Sequence, residues 1–197
     1  MATLRQAKAT LRQEMKQKLA NITKEEKDRQ SDIVIKKVLQ SPIFASSQRL
    51  SLFLNMPDEI NTFPILQAAM AAKKACFIPH YQGPVMKMVH LVSLEDYYNL
   101  PLTKWNIKQP ADNDLRPDAV DTGGLDLILM PGLAFSRQGA RLGRGKGYYD
   151  SYLRRCHDSG VTPRTMALSF REQLVDHVPT GEHDFLVQEV VWATEEM

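Results

Sequence analysis

One segment of this chain holds the residue types that chemistry needs: Met130-Pro-Gly-Leu-Ala-Phe-Ser-Arg-Gln-Gly-Ala-Arg-Leu-Gly-Arg-Gly-Lys-Gly-Tyr-Tyr-Asp150. Four of the chain's ten glycines, Gly139, Gly143, Gly145 and Gly147, fall within nine residues. Alternating glycines let backbone N–H groups converge on an anion without side chains in the way. Arg141, Arg144 and Lys146 bring full positive charge to the same place. A polyphosphate is the ligand such a loop suits. The standard nucleotide loops do not fit: a Walker loop needs glycine where Ala140 stands and Ser or Thr where Gly147 stands. A dinucleotide fingerprint needs glycine at Tyr148. Asp150 lies about one helical turn beyond the glycines. It is either a carboxylate for Mg²⁺ beside bound phosphates or an acid favoured by a helix dipole. Tyr148 and Tyr149 either line a pocket or pack into the core.

The elements around this segment say how it is held. Leu125–Met130 is a continuous apolar run, the pattern of a parallel strand covered on both faces, and Tyr148 to about His157 reads as a helix. The loop thus leaves the C-terminal end of a buried strand and enters a helix N-terminus, where open α/β sheets bind ligands. Upstream, Leu4, Ala7, Leu11, Met15 and Leu19 recur at helical spacing and predict a helix over 3–20 ending at Asn21. Lys8, Arg12 and Lys16 form a stripe beside that apolar face. Thr23 followed by Glu26 marks a capping box opening a second helix, and Ser41-Pro42 opens a short third. Arg49–Asn55, Ala75–Pro79, Met86–Val92, Met166–Phe170 and Val187–Ala193 read as strands, Thr62–Lys73 as a helix, and 99–124 as a long loop holding Trp105. Alternating strands and helices predict a three-layer α/β fold with a mainly parallel sheet.

Composition excludes several classes. The chain has 197 residues, 43% of them hydrophobic and 24% charged, which suits one globular domain and neither a disordered chain nor a membrane span. Cys76 and Cys156 offer no metal spacing and no disulfide framework. The N-terminus lacks a signal-peptide run, so a cytoplasmic location is the expectation. The net charge of +2 conceals an uneven distribution. Residues 1–20 carry +4, residues 127–149 carry +4 with no acid, and the remainder carries −6.

The core Arg141-Leu-Gly-Arg-Gly-Lys-Gly-Tyr-Tyr-Asp150 resembles the signature of the 5-formyltetrahydrofolate cyclo-ligase family. The resemblance extends to Lys8-x-x-x-Arg12, Phe53-Leu-Asn-Met-Pro-Asp-Glu-Ile60, Trp105-Asn-Ile-Lys-Gln-Pro110 and Gly123-Gly-Leu-Asp126. It implies a single cyclo-ligase domain over 1–197, similar in fold to the ribose-phosphate isomerase and CoA-transferase group. It also implies closure of 5-formyltetrahydrofolate to 5,10-methenyltetrahydrofolate with ATP and Mg²⁺. Carried over by position, Lys8, Arg12 and Arg141, Leu142, Gly143, Arg144, Gly145, Lys146, Gly147, Tyr148 and Tyr149 bind ATP. Leu54, Glu59 and Trp105 contact the folate, together with Arg144, Gly145, Lys146, Gly147 and Tyr148. Asp150 and Asp184 hold the magnesium, and Lys146 and Arg144 are the catalytic charges. Members commonly have aspartate where Ser136 stands and often proline where Lys108 stands, so no acid role is placed at Ser136.

The chemistry implied needs no nucleophilic side chain. That leaves both cysteines and His80, His90, His157, His177 and His183 without catalytic assignments. The expected partner is a reduced folate, with no nucleic acid and no membrane, and the expected state is a monomer. Two other classes compete on the residues alone. A nucleic-acid module would interleave bases, glycines and aromatics as Arg141–Tyr149 does, but Asp112, Asp114, Asp118, Asp121 and Asp126 lie close in sequence. A sugar-phosphate isomerase on a similar fold would need no ATP.

Overall fold

The computed structural model describes residues 3–194. Helix α1 (Leu4–Ala20) opens on a reciprocal cap between Thr3 and Gln6 and ends at Asn21. Helix α2 (Lys24–Gln40) starts at Thr23, whose hydroxyl accepts the Glu26 N–H. The reciprocal half of the expected box is absent, because the Glu26 carboxylate turns to Arg29 and Gln30 instead. Helix α3 (Pro42–Ser46) follows Ser41 with proline in its first turn.

Strand β1 (Arg49–Ser51) is shorter than the expected 49–55. It pairs with Ala75–Phe77 on one side and Leu127–Ile128 on the other, and after Ser51 the chain leaves the sheet while both neighbours run on. There follow α4 (Phe63–Ala71), β2 (Ala75–Gln82), β3 (Val85–Leu91) and α5 (Leu94–Asn99). The last of these is a short helix that the apolar pattern does not reveal, capped by Ser93 on the Asp96 N–H. The long segment after it holds a 3₁₀ turn at Ala119–Thr122. Then come β4 (Leu127–Met130), β5 (Ala134–Phe135), β6 (Arg141–Leu142), α6 (Tyr148–Asp158), β7 (Arg164–Ser169), a 3₁₀ turn at Arg171–Gln173 and β8 (Glu189–Trp192).

Six strands make the main sheet in the order β3-β2-β1-β4-β7-β8. All neighbours run parallel except the edge pair β2–β3. Strand β4 shows why its sequence is uniformly apolar. Leu127 and Leu129 join a core shared with α1, α2, α3 and α4. Ile128 and Met130 join one shared with α6. All four are fully buried, each worth roughly 2 kcal/mol of apolar transfer. The strand order reverses between β1 and β4, since β1 leads outward to β2 and the chain returns on its other side. The crevice at the C-terminal ends of these two strands is where such sheets bind ligands.

Candidate active site

A cleft of about 330 Å³ occupies that crevice. Phe53, Leu54, Met56 and Glu59, which follow β1, form one wall. Pro79 and Tyr81 of β2 form its back, and Pro131 and Gly132 follow β4. Arg141, Gly143, Arg144 and Lys146–Asp150 close the opposite side. The segment holding Trp105 covers the mouth and is fastened to β2 by Gln109. The Gln109 side-chain carbonyl accepts the Tyr81 N–H at 3.0 Å, and its amide donates to the Tyr81 carbonyl at 3.2 Å. That amide takes the place of a neighbouring strand where β1 has ended. Lys108, standing where proline is common, donates to the Tyr98 and Leu100 carbonyls at the end of α5.

The glycine segment is not one open loop. Residues 134–142 form a hairpin, β5 against β6, with Ser136 at its turn. The buried Ser136 hydroxyl accepts the Ala140 N–H at 3.1 Å, a bond an aspartate in this place would also make. Gly139 has φ +92°, and a Cβ there would sit 2.0 Å from the Val187 carbonyl oxygen. The Gly139 carbonyl in turn accepts the Val187 N–H at 2.8 Å, so the hairpin and the segment bearing Asp184 are joined backbone to backbone. Gly147 begins α6 with φ +68° and no side-chain cap. The first N–H groups of that helix are therefore left for another acceptor, the geometry that favours an anion.

The cations around this loop are mostly engaged by carboxylates. Lys8 donates to both oxygens of Asp184, at 2.8 and 2.5 Å. Arg141 donates to Asp150 at 2.9 Å. Arg144 reaches Asp58 at 2.7 Å and Glu59 at 3.1 Å. Arg12 donates instead to the Gly143 carbonyl at 2.9 Å, placing α1 directly behind the glycine loop. Lys146 is exposed and makes no hydrogen bond or ion pair with the described residues. The two candidate metal ligands are adjacent through the chain: Phe185, next to Asp184, donates its N–H to Asp150 at 3.1 Å. Burial acts to raise the Asp184 carboxyl, but Lys8 and the Gly181 N–H outweigh it and hold it below the usual range. At Glu59 burial wins over the opposing Arg144, and the carboxyl is raised.

The expected site residues mostly converge. Leu54, Glu59, Trp105, Gly143, Arg144, Lys146, Gly147, Tyr148, Tyr149, Arg141 and Asp150 line the cleft. Lys8, Arg12, Gly145 and Asp184 flank it, with Arg12 packed against Gly145. Leu142 is different: on β6 it is 1% exposed and belongs to the core. Trp105, 56% exposed, is a cleft-mouth residue rather than a core tryptophan. Both tyrosines line the cleft. Tyr148 lies 4.9 Å from the Tyr81 ring and donates to the Gly83 carbonyl. Tyr149 is buried with an unpartnered hydroxyl, and burial raises its pKa well above the ordinary phenol value. No histidine lines the cleft, and burial pushes both cysteine thiols up to about 11, away from thiolate chemistry. Tyr81, Asp58 and Gln109 are the residues that motif reading passes over. Asp58 and Gln109 stand inside matched motifs, so the only available signal was adjacency.

A model of the 5-formyltetrahydrofolate cyclo-ligase family matches residues 4–193. A mouse 5-formyltetrahydrofolate cyclo-ligase is 48% identical over 193 residues, covering 96% of this chain and 95% of the mouse protein. A probable enzyme of the same name from Caenorhabditis elegans is 38% identical, covering 99% and 97%. The solved structure of Aquifex aeolicus 5,10-methenyltetrahydrofolate synthetase superposes with a TM-score of 0.76 at 27% identity, covering 93% of this chain and 88% of that one.

Proposed function

The chain belongs to the 5-formyltetrahydrofolate cyclo-ligase family, and from that premise we propose how its residues carry out the ATP-dependent closure of 5-formyltetrahydrofolate to 5,10-methenyltetrahydrofolate, ADP and phosphate. The observation that carries the reading is the cleft itself. An uncapped helix start and a glycine loop with an uncommitted lysine face a wall bearing Glu59 and the Trp105 segment.

A formamide is a weak electrophile because nitrogen donates into its carbonyl. Transfer of the ATP γ-phosphoryl group to the formyl oxygen converts it into an activated iminium phosphate and releases ADP. N10 then attacks the formyl carbon and gives up its proton, the C–O bond breaks so that the former formyl oxygen and the electron pair leave with phosphate, which can take up that proton, and the methenyl bridge remains. Phosphoryl transfer asks a protein for alignment and charge neutralisation rather than covalent help. Here the α6 N–H groups, Lys146, Arg144, Arg141, Lys8 and Arg12 provide both around the phosphates. Glu59 accepts N–H groups of the pterin, Leu54 packs its apolar edge, and Trp105 closes over it.

Among the described residues, no group of three or more His, Cys, Asp or Glu side chains could hold a metal alone. Asp150 and Asp184 nevertheless fit Mg²⁺, which takes one or two carboxylates and completes its shell with waters and phosphate oxygens. They supply hard oxygens, and the Phe185 N–H ties their two segments together. When bound, Mg²⁺ neutralises charge on the β- and γ-phosphates. Asp184→Ala is expected to raise the magnesium concentration for half-maximal activity about tenfold, the scale of losing one metal-site contact. An unchanged magnesium dependence removes Asp184 from the site.

The reading includes a single domain over 1–197 acting as a monomer in the cytoplasm, without nucleic acid. Among the described residues no helix is long and apolar enough to cross a membrane. The direct experiment mixes protein, MgATP and 5-formyltetrahydrofolate and follows methenyl absorbance. ATP-dependent growth of that absorbance is the expected result; its absence from folded protein overturns the reading.

A further inference from the structure

Arg144 is the only cation of the glycine loop that bridges the two walls of the cleft. Its Nη2 donates to Asp58 Oδ1 at 2.7 Å and to Glu59 Oε1 at 3.1 Å, and its Nε reaches the same Glu59 oxygen at 3.3 Å. The other Glu59 oxygen accepts the Met56 N–H at 2.9 Å. With its side chain 7% exposed, Glu59 has acceptor capacity to spare only toward the cleft. The remaining cations are tied up differently. Lys8 and Arg141 are paired with the candidate metal ligands Asp184 and Asp150, and Arg12 with a backbone carbonyl. Arg144 alone is held by a carboxylate on the folate wall while its own backbone belongs to the nucleotide loop.

We propose that Arg144 couples the two substrates. In the free protein it is parked on Asp58 and Glu59. When the pterin ring takes the Glu59 carboxylate, the guanidinium is released toward the phosphates, with Asp58 as the positioning residue that parks it. The inference rests on the functional reading above. Its physical basis is competition for one oxygen. A ring with paired N–H donors engages a carboxylate through both oxygens, and Glu59 Oε1 cannot serve that pair and hold the guanidinium's Nε and Nη2 at full strength. A guanidinium that loses one of two carboxylates is more available to a polyphosphate two residues from Lys146. Because binding free energies are linked, each substrate then tightens the other by the same factor.

The test is calorimetric titration of the full-length protein with a β,γ-imido ATP analogue and Mg²⁺, with and without saturating 5-formyltetrahydrofolate. The wild-type protein is expected to bind the analogue on the order of tenfold more tightly when the folate is present. Arg144→Gln is expected to lose that dependence, binding the analogue with one affinity whether or not the folate is present. A direct phosphate contact in both states, or a merely structural role, would cost affinity in both titrations. Asp58→Asn removes one competitor for the guanidinium and is expected to strengthen folate-free analogue binding, while Asp58→Glu keeps the wild-type value. Folate-independent affinity in the wild type overturns the proposal. So does an Arg144→Gln loss of equal size in both titrations, or weaker folate-free binding in Asp58→Asn. An enzyme that forms methenyl product normally yet shows no coupling fails only this inference; one that forms none fails the functional reading itself.

Discussion

Lys146→Ala is expected to lower turnover by about two to three orders of magnitude while leaving the thermal midpoint where it is. The size follows from removing a preorganised positive charge aimed at developing negative charge, which typically costs about 10²–10³ in kcat. The absence of a stability effect follows from what Lys146 does in the folded chain. It is exposed, flanked by Gly145 and Gly147, and holds no carboxylate or carbonyl among the described residues. Every other cation of the site spends its charge on a partner within the protein, so none replaces it without giving up a contact. Lys146→Arg keeps the charge and is expected to recover part of the rate. The measurement is kcat at saturating MgATP beside a melting curve. Wild-type turnover in a folded alanine variant would remove this lysine from the reaction.

Asp118→Ala is expected to cost about 3 kcal/mol of folding stability, read as a lower urea midpoint. Asp118 is 1% exposed and its carboxylate has four donors. These are the Arg155 guanidinium at 2.5 Å, the Tyr152 hydroxyl at 3.1 Å and the Met88 and Val120 N–H groups at 3.3 Å. Removing one partner of a buried pair typically costs about 3–5 kcal/mol because the other is stranded. The lower end applies here because Arg155 is 38% exposed and regains water; the stranded group is the Tyr152 hydroxyl, buried in α6. Asp118→Asn retains a carbonyl acceptor and is expected to lose less. This carboxylate fixes α6 against β3, and α6 begins with Tyr148, Tyr149 and Asp150, so the surviving folded molecules are expected to turn over more slowly as well. An unchanged urea midpoint would show that the network is not structural.

Local chemistry was legible in the sequence where it repeats or punctuates. The period of Leu4, Leu11, Met15 and Leu19 gave α1, Ser41-Pro42 gave α3, and the unbroken Leu127–Met130 run announced a strand buried on both faces. Elements decided by distant partners were not legible. Strand β1 stops at Ser51 although Leu52 and Phe53 are as apolar and buried as a strand would need and both neighbouring strands run on. The β5–β6 hairpin depends on Ser136 and on Val187, which is remote in sequence. The Thr23 box lost its second half to Arg29 and Gln30, which compete for the same carboxylate. At the site, composition and spacing singled out the glycine-and-cation loop that lines the cleft, and the resemblance supplied Glu59 and Asp184. The pairing that occupies each cation is a property of three-dimensional proximity. Asp58 acquires its meaning only when Arg144 is brought to it from far along the chain.

The contact between Lys8 and Asp184 spans 176 positions, and this has a consequence for how the protein is made. On the ribosome, α1 emerges well before the segment around Asp184, while domains tend to fold from the N-terminus during synthesis. Most of the sheet can assemble before the final strand appears, but the Lys8 partner cannot. A nascent chain therefore presents α1 with Lys8 lacking its carboxylate until the Asp184 segment has emerged. A chain arrested short of Asp184 would therefore hold most of the parallel sheet and still lack the contact that pins α1 beside the cleft.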